Sequence, residues 1–138
     1  MVALPWIAPN SSDGHDEAVV MASRLEVASR SHVPRFLWKS LIAWRQLGKA
    51  PGVLGASLDA DLLGGVFWTL SAWTGEDTLS AYARSQPHRA IMRDLRPTMR
   101  NSNFVYWKVR TSELPIAWQE ARRRITQTRA ERAEGLPS

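Results

Sequence analysis

Val66-Phe-Trp-Thr-Leu-Ser-Ala-Trp73 runs into Thr74-Gly-Glu-Asp77, and the chain then reaches Ser85-Gln-Pro-His-Arg-Ala-Ile-Met92. The first eight residues read as a strand. Val66, Trp68, Leu70 and Ala72 share one face; Phe67, Thr69, Ser71 and Trp73 share the other. Both faces carry large apolar groups, whereas a sheet wet on one side alternates more cleanly, so something covers each face. Thr74 to Asp77 resembles a capping box with Asp in place of Glu and opens a helix. Leu79, Tyr82, Ala83 and Gln86 share a face of that helix. Pro87 breaks it, because the residue before a proline avoids the helical region. A second helical piece begins at His88, with Ile91, Met92, Leu95 and Met99 apolar, and Pro97 ends it. The strand-end Trp73 therefore lies one helix away from a titratable imidazole, His88.

The flanks complete a simple order. Residues 1–15 contain Pro5, Pro9, Ser11, Ser12 and Gly14 and read as an N-terminal arm. Glu17 to Ala28 alternates as a strand. Ser31 is a cap candidate, and Pro34 suits the first turn of a helix that ends at Gly48. Trp38 and Ile42 lie off its apolar arc and read as surface residues or as a second contact patch. Gly52 to Leu58 is a short strand, Asp59 to Gly65 a connector, and Phe104 to Arg110 a further strand. Pro115 starts a helix with Ile116, Trp118, Ala121 and Ile125 apolar, and residues 128–138 read as a frayed tail. The order β-α-β-β-α-β over residues 16–127 is the split βαβ, ferredoxin-like motif: an α+β fold with a four-stranded antiparallel sheet and two helices on one face. Its other face is apolar and, if bare, calls for a sheet-to-sheet homodimer.

Composition narrows the function classes. A chain of 138 residues forms one domain with a core of its own. With no cysteine there is no disulfide or thiolate chemistry. Residues 1–10 have neither a basic flank nor a long apolar run, so no signal peptide is expected. No apolar stretch approaches the roughly 18–20 residues that span a bilayer. A soluble, cytoplasmic protein without membrane contact is the expectation. The net charge is +5, but the arginines are dispersed and lack interleaved aromatic platforms, so nucleic acid is not an expected partner. The sequence holds no Gly-rich phosphate loop and no metal-ligand spacing, so neither metal nor cofactor is expected. Seven Trp against two Tyr and three Phe suggest a flat pocket for an aromatic or apolar small molecule.

Leu70-Ser-Ala-Trp73, Glu76-Asp77, Leu79-Ser-Ala-Tyr82 and His88-Arg-Ala-Ile-Met92 together resemble the antibiotic biosynthesis monooxygenase-like superfamily of dimeric α/β barrels, over residues 17–110. The Pro87-His-Arg-x-x-Met92 pattern looks most like uncharacterised branches related to spheroidene monooxygenase-like proteins. The resemblance implies a cavity between sheet and helices, bordered by an aromatic at Trp73 or at Tyr82, and the usual geometry of apolar pockets adds Trp44 and Met92 as expected lining residues. His88, titrating near the ordinary ~6.5, is the candidate general base. The superfamily includes cofactor-independent quinone-forming monooxygenases, haem-degrading oxygenases and small isomerases. The expected activity is thus a cofactor-independent monooxygenase. An isomerase or cyclase, a haem-binding protein and a non-enzymatic dimeric binding domain are the alternatives. In the haem-degrading members the ligand histidine lies about one helical turn further along, where this chain has Ile91 and Met92. Arg24 and Glu26 point one way from the first strand and read as an ion pair or as a contact for a ligand anion, and neither Asn101 nor Asn103 receives a catalytic role.

Overall fold

Alternation and helical periodicity are realised in a computed structural model that describes residues 2–86 and 88–133. The elements are β1 (Val2–Ile7), β2 (Glu17–Val27), α1 (Val33–Leu47), β3 (Val53–Asp61), β4 (Val66–Trp73), α2 (Glu76–Arg84), α3 (His88–Leu95), β5 (Met99–Arg110) and α4 (Trp118–Ala133). The strands form one antiparallel sheet in the order β1-β3-β4-β2-β5. β2 to β5 with their helices reproduce the ferredoxin-like order; β1 makes the sheet five-stranded where four were expected. The Pro87 break falls outside the described residues.

Register sorts the side chains onto two faces. Val19, Met21, Ser23 and Leu25 of β2 stand opposite Trp73, Ser71, Thr69 and Phe67 of β4. This face meets α1, α2 and α3. Phe36 stacks on Phe67 with centroids 4.5 Å apart, and Leu25, Val27, Val33, Ile91 and Leu95 close the core around them. Ile42 packs against this cluster, while Trp38 is 65% exposed. Nearer the strand end, Val53, Ala50 and Trp73 pack with Leu47, Leu79 and Tyr82.

The opposite face is not bare. Val20, Ala22, Ala72 and Val109 lie under Ala121 and Ile125 of α4, both fully buried. Polar contacts fix the helix on the sheet. Arg122 pairs with Asp59 and lies over the rings of Trp68 (5.1 Å) and Trp118 (5.6 Å). Trp118 Nε1–H donates to Ser57 Oγ at 3.1 Å. Asp59 had read as loop; inside β3 its carboxylate has a guanidinium partner. Arg24 and Glu26 form their pair here at 3.0 Å, and Asn103 is buried here, away from α1–α3. The covered face removes the exposed-area argument for a sheet-to-sheet homodimer.

Both ends of the chain depart from expectation. Residues read as an arm supply β1, which pairs with the edge of β3 from Val2↔Ala60 to Leu4↔Leu58 and resumes at Ile7↔Ala56. The register shift brackets Pro5, a residue tolerated on an edge strand. Trp6 lies over Gly55, where any Cβ would collide with the indole. At the other end α4 continues to Ala133 instead of fraying from residue 128. Helix α2 starts on Gly75 without a side-chain cap, so the expected capping box does not form. Ser29, not Ser31, caps the short 3-10 turn that precedes α1.

Candidate functional site

Between the first sheet face and helices α1–α3 lies a cavity of about 550 Å³. β2 and β4 form its floor and the helices its roof. Trp44, Tyr82, His88 and Met92 all line it, so four of the five residues singled out in the sequence come together. Trp73 does not line the cavity. It is fully buried behind Tyr82, ring centroids 5.2 Å apart, and its Nε1–H donates to Ser71 Oγ at 2.9 Å. Its inward position at the strand end places it in the core, where it orients a floor hydroxyl.

His88 opens α3 and is held twice. Its backbone N–H donates to Gln46 Oε1 at 3.0 Å, and the Gln46 amide also donates to Ser85 Oγ at 2.7 Å. Gln46 thereby ties α1 to the α2–α3 junction. The imidazole Nδ1 lies 3.2 Å from Ala83 O. A carbonyl only accepts, so Nδ1 carries the hydrogen and the neutral ring keeps its lone pair on Nε2. Burial lowers the pKa of His88 from 6.5, partly opposed by the Ala83 bond. The ring is therefore neutral at pH 7 and competent as a base.

Tyr82 plays a different part. Its hydroxyl donates to Ala43 O at 2.9 Å, and burial pushes the phenol far above its ordinary pKa. It braces α2 against α1 and packs its ring 4.7 Å from that of His88. Its ring forms part of the cavity wall.

Sequence reading passed over the hydroxyls of the floor. Ser23 and Thr69 face one another across β2 and β4 with their hydroxyls hydrogen-bonded, and Ser71 follows two residues along. All three line the cavity, and Ser23 and Ser71 are buried. The signal was present: each occupies an inward position of an alternating strand, flanked by Met21 and Leu25 or by Phe67 and Trp73. Among the described residues no three His, Asp or Glu side chains converge as a metal site.

No family model and no curated protein matches the chain. Solved structures do. A proposed antibiotic biosynthesis monooxygenase from Nitrosomonas europaea superposes with a TM-score of 0.64 at 11% identity, over 75% of this chain and 97% of that one. SnoaB, a cofactor-independent oxygenase from Streptomyces nogalater, gives 0.58 at 18% identity, over 73% and 99%. A conserved protein from Methanosarcina mazei Go1 gives 0.59 at 16%, over 65% and 90%. The fold is that of the antibiotic biosynthesis monooxygenase-like proteins, as the sequence resemblance implied.

Proposed function

We propose that this protein is a small monooxygenase that oxidises an aromatic or polyketide-like molecule without flavin, haem or metal, in the cavity under α1–α3. The observation that carries the reading is the His88 imidazole on the cavity wall, with Nδ1 tied to Ala83 O and Nε2 left as a base. SnoaB, described as a cofactor-independent oxygenase, shares the fold and supports the same class. Fold alone does not determine chemistry; the placed base and the apolar walls add to it.

The reaction needs few groups. His88 Nε2 takes a proton from an activated ring C–H or O–H. The resulting carbanion passes one electron to O2, and the radical pair joins as a C–O bond. The imidazolium returns its proton to the peroxide. Loss of water from the hydroperoxide leaves a carbonyl. The balance is one CH2 and one O2 to one C=O and one H2O. The protein supplies the base, orientation and an apolar surrounding.

Anthrone is a suitable probe. Oxygen uptake above the uncatalysed rate, with anthraquinone formed in equal amount, is the expected result. His88→Gln should lower turnover by the ~10²–10⁴ typical of general base catalysis. Equal rates in both proteins would remove His88 from the chemistry. Turnover of a carbon acid without oxygen consumption would favour an isomerase.

A further inference from the structure

The chain carries 18 Lys and Arg, yet none of the described side chains that line the cavity is Lys or Arg. The basic residues of the roof helices point elsewhere. Arg35, Arg45, Arg84, Arg89 and Arg93 are exposed, and Lys39 turns to Asp94 at 3.9 Å. The carboxylate that does line the cavity is Glu76, an exposed residue at the start of α2. An anionic ligand would thus meet a negative rim and no cation.

The floor offers neutral donors instead. Ser71 Oγ accepts from Trp73 Nε1 and keeps its own proton free for a ligand. In the Ser23–Thr69 pair one hydroxyl donates to the other, which leaves one proton over. Two O–H donors on an otherwise apolar floor match the lone pairs of a carbonyl or phenol oxygen.

We propose that the cavity selects an uncharged, flat aromatic molecule whose ketone or phenol oxygen sits on the Ser23–Thr69–Ser71 hydroxyls, and that it rejects aromatic carboxylates and phosphates. Moving an anion from water into such a site without a cationic partner is heavily penalised. With Nδ1–H given to Ala83 O, His88 presents Nε2 as an acceptor and offers a carboxylate no hydrogen. The inference deepens the reading of this cavity as the ligand site, and it is independent of oxygen chemistry.

Equilibrium dialysis of the full chain at pH 7.5 against 1-naphthol, 1-naphthoate and naphthalene tests it. The expected result is 1-naphthol at least ~10-fold tighter than 1-naphthoate, with naphthalene weaker than 1-naphthol. Ser23→Ala, Thr69→Val and Ser71→Ala together remove both donors and should bring 1-naphthol down to naphthalene. Ser23→Ala with Thr69→Val, which removes one of the two donors, should shrink the naphthol advantage if the triple variant does not fold. Naphthoate bound as tightly as naphthol, none of the three bound, or a naphthol advantage that survives both sets of substitutions would overturn the proposal. Naphthol preference without oxygen uptake from anthrone would overturn the oxygenase reading alone. Oxygen uptake with a preference for naphthoate would overturn this inference alone.

Discussion

His88 takes its properties from its neighbours. The Ala83 carbonyl sets the tautomer, Gln46 holds the backbone, and the Tyr82 ring shields one side. Because burial lowers its pKa, the unfolded chain takes up a proton below about pH 6.5 that the folded chain does not. Folding stability should therefore fall as pH drops from 7.5 through 6.5, until the folded ring itself protonates. Urea unfolding at pH 7.5 and pH 5.5 checks this: the wild-type chain should lose more stability on acidification than His88→Gln. Equal losses would mean that the ring is not held neutral. Trp44, Tyr82, His88 and Met92 were legible because large aromatics and a lone imidazole stand out at helical spacing. Ser23, Thr69 and Ser71 were not singled out, because a small hydroxyl on a strand looks the same whether it faces a cavity or fills a gap. Trp73 was assigned to the wall because its place in the strand fixes its direction, but not whether Tyr82 stands in front of it.

Among the elements, β2, β4 and α1 were the most readable, since a clean period of two or 3.6 survives any tertiary context. β1 was hidden by Pro5 and by its shortness. Edge pairing with β3 supplies what its own sequence does not. The helix after Pro115 was also foreseen, but its place was not: an apolar stripe of Trp118, Ala121 and Ile125 does not say which sheet face it covers. Much of the α4 surface is charged, and those charges are absorbed locally. Arg123 and Arg124 hydrogen-bond Glu120 and hold its carboxyl down at about 2. Ile125 is the apolar anchor that the sheet encloses. Ile125→Ala should cost ~2–5 kcal/mol of unfolding free energy, as expected for a large-to-small change in a packed core. A loss below about 1 kcal/mol in urea titration would show that α4 does not stay on the sheet.

At the scale of the whole molecule, α4 occupies the sheet face on which a dimer was expected. The chain should therefore run as a monomer in light scattering at micromolar concentration, and deletion of residues 117–138 should expose Val20, Ala22 and Ala72 and cause self-association. A full-length dimer whose mass is unchanged by that deletion would show that α4 has no part in keeping subunits apart. Among the described residues no helix is long and apolar enough to cross a membrane. With one sheet face covered by α4, the cavity under α1–α3 is the place proposed for chemistry. A crystal structure of the protein with anthraquinone, the expected product, tests that claim most directly. The account predicts the ring system between the β2–β4 floor and the roof helices, beside His88, with one carbonyl oxygen within hydrogen-bond distance of Ser71 or of the Ser23–Thr69 pair. Anthraquinone bound on another surface, with the side chains of this cavity collapsed on one another, would contradict it.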